Sequence, residues 1–201
     1  MFVSPPNFIQ KFFPSLICVQ QNSDKIWLTF DDGPTPEVTP FILSVLKEEN
    51  IKATFFLVGE QIEKYPTLFQ SIIADGHIVA NHSYSHKNGW ITCNKKYFTD
   101  IEKCQKLMPN NKLYRPPYGK ISPIQILKLK KKYTLVLWDV LSWDFSQKIT
   151  QRKVKGNIIR NTKKGSIIVF HNNHKSYKNL GILKETLQEL KKKGFEFSTS
   201  W

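Results

Sequence analysis

Short apolar, β-branched or aromatic runs alternate along this chain with longer stretches of helical period, and few architectures accept that pattern. Strands are predicted at 25–30, 53–58, 77–81, 134–138 and 166–171, with weaker candidates at 112–115 and 195–198. Helices are predicted at 36–49, 60–74, 95–107, 123–132, 150–161 and 177–193. Thr35 ahead of Pro36 and Ser122 ahead of Pro123 each join a capping side chain to a proline suited to a first turn, while Gly76 and Gly194 suit helix ends. Strand–helix units repeated through 201 residues predict one domain built on a parallel sheet, either closed as a barrel or open and doubly wound. No internal sequence repeat accompanies them.

A barrel makes a further claim, because residues at the C-terminal ends of its strands share one mouth. Asp31 and Asp32 follow the first strand, His82 the third, Arg115 the weak strand before Pro116, Asp139 and Asp144 the next, and His171 ends the one after.

Charge is less specific. Thirty Lys and Arg against sixteen Asp and Glu give +14, which suits an anionic partner, but the lysines cluster at 130–132, 163–164 and 191–193. Each cluster falls at the end of a predicted helix, where a cation complements the helix dipole, so a hydrated basic surface is the reading and no specific nucleic-acid partner is expected. Cys18, Cys93 and Cys104 are odd in number and lack CxxC spacing, and they read as reduced thiols. The apolar stretch at 12–19 is interrupted by Pro14 and Ser15, makes a poor signal peptide and falls short of the ~20 residues that span a bilayer. Residues 1–24 are therefore expected to be an arm that packs on the domain through Phe8, Ile9, Phe12 and Phe13, ahead of a catalytic domain at 25–201.

In Thr29-Phe30-Asp31-Asp32-Gly33-Pro34 two adjacent carboxylates leave the end of a strand in different directions, so that one can bind a cation while the other acts as a base. Taken alone, Asp-Asp-Gly-Pro is also an ordinary turn. His82 and His86 lie four apart, which on a helical turn sets both imidazoles within reach of one ion. With Asp32 they make two nitrogens and a carboxylate, a set that leaves coordination positions open; zinc is the default, and non-haem iron oxygenases use the same set. Arg115-Pro116-Pro117-Tyr118-Gly119 reads as a stiff wall between strand and helix, or as an exposed proline-rich loop.

Five segments in order resemble the polysaccharide deacetylase family, the NodB-type or family 4 carbohydrate esterases: residues 29–34, 82–86, 115–119, 138–145 and 169–171. The resemblance covers 25–201 and implies a single-domain deformed (β/α) barrel of about seven parallel strands that hydrolyses N-acetyl groups on amino-sugar residues of a glycan. It implies Asp31 as general base, Asp32, His82 and His86 as ligands of one divalent metal ion, and His171 as general acid. Arg115 would orient Asp31, Asp144 would pair with His171, and Tyr118 would offer its backbone N–H to the oxyanion. Pro117, Tyr118 and Trp143 would face substrate. Zinc is expected, with cobalt, nickel and manganese as alternatives.

The fourth segment departs from the family's usual Asp-x-x-Asp-Trp: Leu141 replaces the first Asp and Phe145 the Trp, which alters a groove wall. Asp139 is read as capping its loop rather than compensating. Trp90 and Trp138 are further aromatics that could stack on sugar, Trp138 being read as core; His77 is assigned to its strand and His174 to the loop after His171. Hydrolysis of O-acetyl esters or small amides is an alternative activity, and a non-catalytic glycan-binding protein a minor one. A monomer is expected. The missing export signal favours the cytoplasm, whereas a glycan substrate favours the cell envelope.

Overall fold

The computed structural model describes residue 3 and residues 12–108 and 111–201. Its strands are β1 (Leu16–Ile17), β2 (Trp27–Asp32), β3 (Thr54–Leu57), β4 (Ile78–Asn81), β5 (Leu113–Tyr114), β6 (Thr134–Val136), β7 (Val140–Leu141) and β8 (Ile167–His171). Every paired strand runs parallel to its neighbours in the order β1-β6-β5-β4-β3-β2-β8-β7. The helices are α1 (Val38–Glu48), α2 (Gly59–Lys64), α3 (Pro66–Ala74), α4 (Asn94–Gln105), α5 (Pro123–Leu129), α6 (Gln151–Asn161), α7 (His174–Leu180) and α8 (Leu183–Lys192).

The connection from β6 to β7 decides between barrel and open sheet. Only residues 137–139 join these strands, although five strands separate them in the order. Across a flat sheet the gap would be ~29 Å, yet so short a link reaches at most ~14 Å. The sheet must curl. Leu137 N–H donates to Ile17 O at 2.8 Å and Asp139 N–H to Ile167 O at 3.0 Å, and an antiparallel bridge pairs Val19 with Ser166. The chain is therefore a single-domain deformed barrel.

Alternation along the strands sorts side chains between its inside and its helical coat. Trp27, Phe56, Ala80, Leu113, Val136 and Ile167 form an inner cluster, joined by Trp201. Leu28, Phe30, Phe55, Leu57, Ile168 and Phe170 face the other way and pack with Ile42 and Leu46 of α1, Ile72 of α3, Ile158 of α6 and Leu187 of α8. Asp31 shares the inward parity of Trp27 and Thr29, so the strand delivers its carboxylate inside the mouth.

Several expectations need correction. The described residues form eight strands, because two-residue β1 and β7 carry no alternating pattern to betray them; residues 195–198 give only the bridge from Ile26 to Phe197. The predicted helix at 60–74 divides at Tyr65 (φ −130°, ψ 60°), since Pro66 lacks an N–H and bars the helical conformation to the residue before it. The one at 177–193 divides into α7 and α8 around Gly181. Thr35 is not a helix cap: its hydroxyl donates to Asn172 O at 2.8 Å, and α1 begins after Glu37. Ser122 does cap α5, in a reciprocal capping box with Gln125. Gly76 (φ 75°) and Gly194 (φ 85°) follow α3 and α8 in the left-handed region. Phe12 is exposed rather than packed, Phe13 lies against the core, and Phe8 and Ile9 fall outside the described residues.

Candidate active site

Asp31 is buried against Arg115, whose Nη1 donates to Asp31 Oδ1 at 2.5 Å and to Thr29 Oγ1 at 2.8 Å, while Nη2 donates to Leu137 O at 2.9 Å. The guanidinium is wholly buried and its Cζ lies 4.0 Å from the centroid of the Phe56 ring. An ion pair held this way orients one carboxylate oxygen and leaves the other to face the mouth.

Asp32, His82 and His86 offer ligand atoms that all lie within 4.8 Å of one another. Asp32 Oδ1 is 3.7 Å from His82 Nε2 and 3.2 Å from His86 Nε2. Burial pushes the His82 imidazole down to about 4, so it is neutral at physiological pH. Its Nδ1–H donates to Arg115 O at 2.8 Å, which leaves the Nε2 lone pair facing the other ligands. Burial alone would raise the Asp32 carboxyl; the hydrogen bond with His86 and the charge of His171 outweigh it and hold the group below the usual carboxylate range. Two imidazole nitrogens and an ionised oxygen facing one point fit a divalent cation.

His171 completes the mouth from the end of β8. Its Nδ1 is 2.7 Å from Asp144 Oδ1, and its backbone N–H donates to Asp144 Oδ2 at 2.7 Å. Ser142 Oγ–H donates to Asp144 Oδ1 at 2.7 Å, and Asn179 Nδ2–H holds the Asp144 carbonyl at 2.7 Å. Burial would lower the imidazolium, but the Asp144 carboxylate more than offsets it and raises the group to about 9. Raised above its ordinary 6.5, the pair's contribution to folding stability is full below that pH and is lost as pH rises through about 9. An Asp144→Asn variant is expected to move the alkaline limb of the pH–rate profile to lower pH, and to lose about tenfold or more of its activity at neutral pH. An unmoved limb would refute the pairing.

Of the remaining residues singled out from sequence, Pro117 is buried, Tyr118 places its ring 4.5 Å from that of His86, and Trp143 sits 5.2 Å from Phe145. Phe145 is 4.7 Å from His171 in an edge-on contact, so the residue at the usual Trp position covers the imidazole. Asp32, Ser83, His86, Tyr118 and Trp143 all hold positive φ, which concentrates backbone strain at the mouth. Asp139 does not join them: it pairs with Ser166 Oγ at 2.6 Å, beside the N-terminal end of β8. Trp138 packs with the core; His77 lies just ahead of β4, its Nδ1 accepting from Ala53 N–H at 3.2 Å, and His174 opens α7.

Sequence reasoning passed over four supports. Asn173 Nδ2 donates to Asp32 Oδ2 at 2.5 Å, and Thr29 accepts from Arg115 as above. Asp100 of α4 accepts from Tyr84 N–H at 2.9 Å and Ser85 N–H at 3.0 Å, while α2 donates from Gly59 to Ser83 O at 3.0 Å and from Glu60 to Tyr84 O at 2.9 Å. The position of Thr29 two residues before Asp31 was the one readable signal, since strand parity puts both on one face.

A carboxylate beside three side chains that could hold a cation, faced by an imidazole–carboxylate pair at the mouth of a parallel barrel, is an arrangement suited to metal-dependent hydrolysis. The chain belongs to the polysaccharide deacetylase family, whose sequence profile matches residues 19–137; that family is metal-dependent. It is 34% identical over 186 residues to a peptidoglycan-N-acetylglucosamine deacetylase of Bacillus cereus, with 89% of this chain and 67% of that protein covered. To the chitooligosaccharide deacetylase of Azorhizobium caulinodans it is 33% identical, with 76% of each covered. The crystal structure of the Bc1960 peptidoglycan N-acetylglucosamine deacetylase, in complex with an N-oxidanyl-benzamide, superposes with a TM-score of 0.88 at 31% identity, covering 96% of this chain and 94% of that one.

Proposed function

We propose that this chain hydrolyses the N-acetyl group of N-acetylglucosamine-type residues in peptidoglycan or a related glycan, acting at the cell envelope. The observation that carries the reading is the meeting of the Asp31–Arg115 pair, the Asp32–His82–His86 cluster and the His171–Asp144 pair at one mouth. Asp32, His82 and His86 would hold the cation, zinc by preference, with cobalt, nickel or manganese as substitutes. When bound, it supplies Lewis acidity to water and to the acetyl carbonyl.

Asp31, held by Arg115, takes a proton from the attacking water, whose oxygen adds to the acetyl carbon. The backbone N–H of Tyr118 supports the negative charge that develops on the carbonyl oxygen. His171, its Nδ1 tied to Asp144, gives its Nε2 proton to the sugar nitrogen as the C–N bond breaks, releasing acetate and a free amine. Pro117, Tyr118 and Trp143 border the sugar. Among the described residues no helix is long and apolar enough to cross a membrane.

Metal-loaded protein incubated with purified peptidoglycan, an N-acetylglucosamine oligomer and acetylated xylan is expected to release acetate from at least one of the first two. Release from xylan alone would make the chain an esterase, and release from none of the three would overturn the reading.

A further inference from the structure

The loop after His86 and the loop after Tyr118 leave adjacent strands β4 and β5 and are clamped together beyond the reacting centre. Gly89 N–H donates to Lys120 O at 3.1 Å, and Gln125 Nε2–H donates to Gly89 O at 2.8 Å. A Cβ at position 89 would lie 2.5 Å from Lys120 O and 2.6 Å from Gln125 Oε1, so only glycine allows this approach.

The clamp fixes Trp90. Its backbone N–H donates to Asn88 Oδ1 at 3.0 Å and its Nε1–H to Ile121 O at 3.3 Å, yet the side chain stays 66% exposed. A pinned, exposed indole with its polar atom already satisfied presents an apolar face that loses little freedom when something stacks on it. Lys120 Nζ lies 5.3 Å from the ring centroid, and among the described residues no carboxylate comes within ion-pair distance of it. Tyr118, two residues back, places its ring 4.5 Å from that of His86, so the loop that carries Lys120 also reaches the metal cluster.

We propose that Trp90 and Lys120 form a second glycan subsite, in which the indole stacks on a sugar outside the reacting one and the ammonium binds a carboxylate that this sugar, or a peptide on it, carries. The inference rests on the glycan-deacetylase reading and deepens it. The substrate class selected is a strand whose acetylated residues alternate with acid-bearing ones, rather than a neutral homopolymer of the same length. The chain's +14 charge acts in the same sense.

The test compares metal-loaded parent, Trp90→Ala and Lys120→Met on an N-acetylglucosamine hexamer and on solubilised glycan strands bearing carboxylated stem peptides. Acetate release is followed at low and high salt. Trp90→Ala is expected to raise KM about tenfold on both substrates with kcat unchanged. Lys120→Met is expected to raise KM only on the carboxylated strands, roughly two- to fivefold, and to flatten their salt dependence. An unchanged KM for Trp90→Ala, or an equal effect of Lys120→Met on both substrates, overturns the subsite. A parent inactive on both would count against the deacetylase reading instead; calorimetric binding of the strands to parent and variants would then decide the subsite by the same ratios.

Discussion

Asparagine in place of Asp31 is expected to reduce acetate release by about 10²–10⁴-fold, the range that a positioned general base contributes. The substitution is nearly isosteric, and the amide oxygen can still accept from Arg115 Nη1, so the geometry around the guanidinium survives. What disappears is the ability to take a proton from water, together with the charge that compensates a wholly buried arginine. Breaking a buried ion pair costs about 3–5 kcal/mol when one partner is lost outright; keeping an acceptor in place makes the loss smaller here, which a thermal melt would read. Metal content should match that of the parent. Activity within a few-fold of the parent would remove Asp31 from the role of base.

His82→Ala should act on a different quantity. Two ligands remain, Asp32 and His86, with Asp32 Oδ1 and His86 Nε2 3.2 Å apart, and a cation held by two protein groups is exchangeable. Changes in outer support alone weaken metal binding about 10–100-fold, so loss of a direct ligand is expected to exceed roughly 100-fold. Metal analysis after dialysis should find the variant empty under conditions in which the parent stays loaded, with acetate release lost in parallel. Circular dichroism should be unchanged, because the His82 ring makes one hydrogen bond to the frame, through Nδ1 to Arg115 O. Full metal occupancy in the variant would exclude His82 as a ligand.

The residues that bear charge at strand ends were legible in the sequence because the fold gives them no choice. A parallel barrel sends the residues at the C-terminal ends of β2, β4, β5 and β8 to one mouth, so Asp31, Asp32, His82, Arg115 and His171 could be gathered from the sequence. Asp139 was misplaced by the same reasoning. It follows a predicted strand at 134–138, but the chain continues through it into β7, and its backbone pairs at Ile167 near the start of β8. Sequence shows where a strand ends only when the pattern ends with it. Helix lengths failed for a local reason at Tyr65–Pro66, where apolar period ran on across a residue that cannot stay helical. Asn173 and Asp100 were invisible for a third reason: each acts by a hydrogen bond to a segment distant in sequence, and neither residue type announces its partner.

The braces around residues 82–86 bear on how the protein handles its metal over time. Ser83 N–H is held by Asn81 Oδ1 at 2.8 Å, Tyr84 and Ser85 N–H by Asp100, and the Ser83 and Tyr84 carbonyls by the first amides of α2. None of these bonds involves a ligand nitrogen. The socket is thus assembled by folding rather than by its occupant, so chelation and reloading should be a reversible exchange, with the amides of residues 83–85 remaining slow to exchange with deuterium throughout. An enzyme built this way can be stripped or starved of metal and still be one binding step from activity.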